Sequence, residues 1–155
     1  MIYNITNFHI PRLIFSKPYL MTDVHNKATR SFNMSQIKWK DTKPEILVRK
    51  FLFANGLRYR LHDDKLPGRP DIVLRKFNTV IFVNGCFWHG HKGCKRFVVP
   101  KSRTDFWLNK INKNIINDEK NTNLLKLLGW NVITMWECQL SQVNALDRMI
   151  REISE

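Results

Sequence analysis

Thr79-Val80-Ile81-Phe82-Val83-Asn84-Gly85-Cys86-Phe87-Trp88-His89-Gly90-His91 is the stretch whose reading decides the fold. Thr79–Val83 is a β-branched run suited to a central strand buried on both faces. Asn84-Gly85 closes it, and the chain beyond is loop-like as far as Arg103. Working upstream, Lys76-Phe77-Asn78 reads as a turn and Ile72-Val73-Leu74 as a short strand. Leu66-Pro67-Gly68-Arg69-Pro70 is a turn-rich loop, and Leu57–Leu61 alternates apolar and basic residues, as a half-exposed strand does. Thr42-Lys43-Pro44-Glu45 has the capping-box form, with a hydroxyl at the cap and a carboxylate three residues on. Leu47, Phe51 and Ala54 follow at helical spacing, and Gly56 offers a left-handed stop. Downstream, a long helix starts near Thr104 with Phe106, Trp107, Ile111 and Ile115 on one face, and Gly129 closes it. Asn131–Trp136 reads as another buried strand. A final helix near Asn144–Ile153 presents Leu146, Met149, Ile150 and Ile153. The order helix, three strands, helix, strand, helix implies an α/β fold, a mixed sheet flanked by helices.

The 155 residues suit one domain. Lys and Arg number 26 against 13 Asp and Glu, a net charge of +13 that favours a polyanionic partner, nucleic acid before all others. A membrane surface is the rival, yet no run approaches the roughly 18 apolar residues of a spanning helix. Asn4, Asn7, His9, Pro11, Arg12, Lys17 and Pro18 break up any signal-peptide core in the first twenty residues. A soluble cytoplasmic protein is expected. Residues 1–20 match neither period and read as an N-terminal extension, an arm or an upstream lengthening of the reading frame. Met21 would then be the natural start.

The unusual residues concentrate after the central strand. Three cysteines cannot all pair with one another. Cys86, His91, Cys94 and the later Cys138 supply the three thiolates and one imidazole of a closed, structural Zn2+ site; the alternative is unrelated buried thiols. Asp71, at the mouth of a strand, suits Mg2+ with open positions for phosphate oxygens, or else caps a turn or pairs with Arg69. His89 is not needed for four-fold coordination and is free to take a proton from water; otherwise it supports or replaces a zinc ligand. Asn84 either orients a water or phosphate or makes the turn. Lys92, Lys95, Arg96, Lys101 and Arg103 fall within twelve residues that contain no acid, a pattern suited to phosphate neutralisation. Phe87 and Trp88, adjacent in a loop, and Trp107 on the long helix could stack on or wedge into bases.

Taken together, Leu66–Asp71, Val80–His91, Thr104-Asp105-Phe106-Trp107 and Trp136-Glu137-Cys138 resemble the very-short-patch repair DNA mismatch endonucleases. Asp23–Ser31 with Asn33-Met34 resembles that family's start, so the likeness spans about residues 21–150. It implies a restriction-endonuclease-like αβββαβ core, with a mismatch endonuclease domain over 21–155. It also implies nicking of double-stranded DNA on the 5′ side of the thymine in a T·G mismatch left by 5-methylcytosine deamination. In the family pattern Asp71 matches the catalytic aspartate, His89 the general base, and the Val83 carbonyl a further Mg2+ ligand. Glu45 matches an acidic residue near the site. Phe87, Trp88 and Trp107 match a wedge entering from the major groove, and Met34 lies in a segment used from the minor groove. Cys86, His91, Cys94 and Cys138 match the zinc ligands. The chain is expected to act as a monomer, with mismatch-repair proteins as further partners.

Two departures stand out. Asn84 replaces a second histidine of the best-known members, and the His91-to-Cys94 spacing is one residue longer. Two other functions fit the same residues. A restriction-type or homing endonuclease of this fold would cut matched DNA, and a zinc-stapled nucleic-acid-binding module would cut nothing.

Overall fold

The computed structural model describes residues 26–36, 38 and 40–154. The N-terminal extension and the opening Asp23–His25 lie outside the described residues. The elements are α1 (Lys27–Ser35), α2 (Lys43–Ala54), β1 (Arg60–Leu61), β2 (Ile72–Leu74), β3 (Thr79–Asn84), α3 (Thr104–Leu127), β4 (Asn131–Trp136) and α4 (Ala145–Ser154), with short 3-10 turns at Arg75–Phe77 and Gln139–Ser141. From α2 onward this is the expected order. The sheet runs β1-β2-β3-β4. β1, β2 and β3 pair antiparallel, and β4 pairs parallel to β3. A parallel neighbour needs a crossover of a dozen or more residues, which α3 supplies.

The pleat divides the core between two faces. Ile72, Leu74, Ile81, Ile133 and Met135 pack with Val48 and Leu52 of α2 and Met149 and Ile153 of α4. Val73 and Val80 pack with Leu125 of α3, joined by Phe82, Trp130 and Val132. Burial of both faces explains why β2 and β3 read as apolar runs rather than alternations. Ile81 is fully buried in this three-layer stack, and cutting it to Ala should cost about 2–5 kcal/mol.

The differences from expectation have physical causes. Helix α1 carries few apolar residues; its start is marked by its cap, where the Asn26 side chain accepts from the Thr29 N–H at 2.8 Å. β1 spans two residues, not five, because only Arg60 and Leu61 pair with β2, itself three residues long. In α2 the buried face is Glu45, Val48, Arg49 and Leu52, whereas Leu47 is exposed. The apolar spacing misses this because half of that face is a buried ion pair, Glu45 with Arg49 at 2.9 Å. Phe106 is exposed too, and the Arg103 guanidinium lies over its ring at 4.4 Å, while Ile111 goes to the core. Among the described residues no helix is long and apolar enough to cross a membrane.

Candidate active site and metal-binding knot

A cleft of about 1100 Å³ opens at the C-terminal end of β3, with Asp71, Val83, Asn84, Glu45, Trp88 and His89 in its lining. Asp71 precedes β2, and its Oδ2 accepts the Val83 backbone N–H at 2.7 Å. Its Oδ1 is the oxygen left over. Burial pushes the Asp71 carboxyl above the usual carboxylate range, against the Val83 hydrogen bond and with the charge of Glu45 adding to the rise. A partly buried carboxylate with one oxygen held and one spare, at the mouth of the sheet, is a hard oxygen donor of the kind divalent cations take.

His89 sits in the turn after β3, where its N–H donates to the Gly85 carbonyl at 3.2 Å. Its Nδ1 lies 2.6 Å from Asp118 Oδ2 on α3. A neutral ring giving its Nδ1 proton to that carboxylate keeps a lone pair on Nε2, the arrangement of a general base. Four residues before Asp118, Asn114 donates from Nδ2 to the Trp88 carbonyl at 2.9 Å. Lys110, Asn114, Asp118 and Asn121 all line the cleft. Gly90 lets the turn sit against α3: its φ is +61°, and a Cβ there would stand 2.7 Å from the Ile115 side chain.

Glu45 is less available than the sequence implies. It is buried, and its carboxylate accepts from the Asp41 N–H, the Thr42 hydroxyl and Arg49, each at 2.9 Å. Asn84 is buried at the end of β3, and its carbonyl accepts the Glu137 N–H at 3.0 Å.

The aromatic residues meet. Phe87, Trp88 and Trp107 form an edge-on triad with centroids 5.0, 5.6 and 6.0 Å apart. Lys110 stands 5.0 Å over the Trp88 ring. Met34 is exposed on α1. The five expected phosphate contacts are exposed, and none is in the cleft lining. Lys92, Lys95 and Arg96 surround the cysteine cluster, and the cations along the cleft are Lys38, Lys43, Arg69 and Lys110.

On the far side of the same loop Cys86, His91, Cys94 and Cys138 converge, their ligand atoms all within 4.8 Å of one another. His91 Nδ1 is 3.4 Å from the Cys86 sulfur and 3.3 Å from that of Cys138. The His91 ring stacks on Trp136 at 4.1 Å, and Glu137 accepts the Cys86 N–H at 3.0 Å. Burial pushes the Cys86 thiol up to about 12 and pulls His91 down. A neutral imidazole is the ligand form, and a thiol that resists ionisation gives up its proton when a metal takes the sulfur. The cluster is fit to bind a metal, and the longer His91-to-Cys94 spacing does not keep the donors apart.

Sequence reasoning missed His62, Asn114 and Asp118. The latter two carried a signal, since polar residues recur at helical spacing through Lys110, Asn114, Asp118 and Asn121 on a helix whose Ile111 is buried.

A mixed sheet with β4 parallel to β3, an aspartate at its mouth and helices on both faces is the restriction-endonuclease-like architecture. The family model for "DNA mismatch endonuclease Vsr" matches residues 22–96. The chain is 50% identical over 139 residues to the type II nicking enzyme V.NmeAIP of Neisseria meningitidis, covering 87% of this chain and 99% of that one. It is 49% identical over 120 residues to the DNA mismatch endonuclease Vsr of Escherichia coli, covering 77% and 76%. With the type II nicking enzyme V.XorIIP of Xanthomonas oryzae pv. oryzae it shares 44% over 133 residues, 86% of this chain and 97% of that one. The chain belongs to the Vsr family of DNA endonucleases, and DNA is its substrate.

Proposed function

We propose that this endonuclease nicks double-stranded DNA on the 5′ side of the thymine in a T·G mismatch, starting very-short-patch repair, and that it does so as a monomer. The observation that carries the reading is one cleft lined by Asp71, the His89–Asp118 pair and Trp88 of the aromatic triad. The likeness to a mismatch endonuclease and to nicking enzymes supports it.

Asp71 and the Val83 carbonyl would hold Mg2+. Bound there, the ion supplies Lewis-acid stabilisation of charge on the scissile phosphate. His89 Nε2 takes the proton of the attacking water, and Asp118 keeps the ring in the tautomer that allows it. The water oxygen bonds to phosphorus as the bond to the leaving oxygen breaks. Lys38, Lys43, Arg69 and Lys110 neutralise phosphates along the cleft. Phe87, Trp88 and Trp107 enter beside the mismatch, where poor stacking lowers the cost of wedging by up to about a few kcal/mol.

Cys86, His91, Cys94 and Cys138 would hold Zn2+ structurally. Tetrahedral zinc at ordinary bond lengths sets sulfur and nitrogen roughly 3.5 Å apart, close to the 3.4 and 3.3 Å found.

Strand-resolved nicking of duplexes differing only in T·G against T·A tests the proposal. Nicking confined to the T·G duplex, on the thymine strand, is expected. Equal nicking of both would favour a matched-DNA nuclease, and tight T·G binding with no cut would favour a binding module.

A further inference from the structure

His62 has no part in the account above, yet it stands beside Asp71. It directly follows β1 as Asp71 directly precedes β2, and its N–H donates to the Asp71 carbonyl at 3.3 Å. That bond carries the β1–β2 pairing one step further. His62 adopts φ +48°, a left-handed conformation uncommon outside glycine, and such positions gather at functional sites. Its side chain lines the cleft.

The ring is held from one side. Nε2 lies 3.0 Å from Nη2 of Arg49. A guanidinium has only donors, so Nε2 accepts and the ring proton belongs on Nδ1. Nδ1 lies 4.0 Å from Asp71 Oδ1, the oxygen that Val83 leaves over. Arg49 cannot easily turn away, because Asp41 and Glu45 hold its guanidinium as well. Its Nε is buried without a partner among the described residues, so the guanidinium is placed by its two terminal nitrogens.

We infer that His62 is a positioning residue for Asp71: Arg49 fixes its tautomer, and the Nδ1–H dipole restrains the carboxylate oxygen that faces the cation. At 4.0 Å this is a dipolar contact rather than a hydrogen bond. The inference rests on the reading of Asp71 as a cation ligand proposed above.

Mg2+ titration of single-turnover nicking on a T·G duplex tests it. His62→Leu removes donor and acceptor, while His62→Gln keeps an acceptor for Arg49 and a donor for Asp71. His62→Leu should need roughly tenfold more Mg2+ for half-maximal nicking, with the saturating rate close to wild type. His62→Gln should restore most of the difference. His62→Asn tolerates the left-handed backbone, but its shorter amide cannot reach both partners, so it should share the raised requirement even if His62→Leu fails to fold. Unchanged Mg2+ dependence in His62→Asn, or His62→Gln as impaired as His62→Leu, would overturn the inference. Asp71→Ala in the same assay separates the two failures. An active Asp71→Ala removes the site reading itself, whereas an inactive one beside an unaffected His62→Asn removes only the role of His62.

Discussion

The cleft and the cysteine knot share the loop Gly85–Cys94 and use their side chains in opposite ways. In the cleft each key group is tied by one atom and keeps another spare. Asp71 gives Oδ2 to Val83 and keeps Oδ1; His89 gives Nδ1 to Asp118, and among the described residues Nε2 has no partner. In the knot all four donors turn inward within 4.8 Å of one another. Spare valence is what a reaction needs, and its absence is what a staple needs. Successive residues alternate between these uses, since His89 serves one region and His91 the other, with Gly90 packed against Ile111 and Ile115 between them.

The sharpest way to break the comparison is to remove the group with the spare oxygen. Asp71→Ala should lower nicking by about 10³-fold or more, because it deletes several kcal/mol of charge stabilisation. Mismatch binding in a gel-shift assay should persist. Comparable loss of binding would make Asp71 a scaffold residue like those of the knot. Asp118→Asn should act in the same direction but less, roughly 10- to 100-fold, with zinc content untouched.

Breaking the other region should read out as stability first. Cys138→Ser should drop zinc below one per chain and cost a few kcal/mol. That is less than the roughly 10 kcal/mol or more seen in small zinc peptides, because the sheet persists. For a chain of this size about 3 kcal/mol lowers Tm by about 6–12 °C. Elemental analysis and calorimetry check both. Full zinc content after Cys138→Ser would remove this residue from the knot. Gly90→Ala, which drives a methyl into Ile115, should cost about 1–3 kcal/mol in urea unfolding while leaving zinc bound.

The smallest expected effect sharpens the contrast through pH. Burial raises the Asp71 carboxyl, so the folded chain holds that proton to higher pH than the unfolded chain does. The group's contribution is therefore full below its unfolded pKa and is lost as pH rises through the folded value. At neutral pH the ionised carboxylate is a net cost in the metal-free protein. Asp71→Asn should raise metal-free stability slightly at pH 7 and lose that gain near pH 3. A gain that grows on acidification would reverse the sign.

Much of this was legible in the sequence, for reasons that differ by element. β3 declared itself because a strand buried on both faces is an apolar run; β4, read as a buried strand, buries only Ile133 and Met135 and is exposed at Asn131 and Thr134. α2 declared its start through Thr42 and Glu45: the Thr42 hydroxyl oxygen accepts the Glu45 N–H, while the Glu45 carboxylate accepts the Thr42 hydroxyl and the Asp41 N–H. Its buried face did not, because the Glu45–Arg49 pair stands where an apolar period is sought. The four metal donors were legible from residue type alone, since soft ligands are few. Asp118 was legible only as one of the polar residues recurring along α3, and His62 not at all, because each makes its contact with a residue distant in the chain, His89 and Asp71. The basic run Lys92–Arg103 was legible as charge. The cations that line the cleft, Lys38, Lys43, Arg69 and Lys110, come from two loops and two helices.

The most direct test of the division between chemistry and staple is the zinc content of His89→Ala, the residue placed between Cys86 and His91. The account predicts one zinc per chain, with T·G nicking reduced about 10²-fold or more. Loss of zinc together with activity would make His89 a ligand and contradict the separation of the two regions.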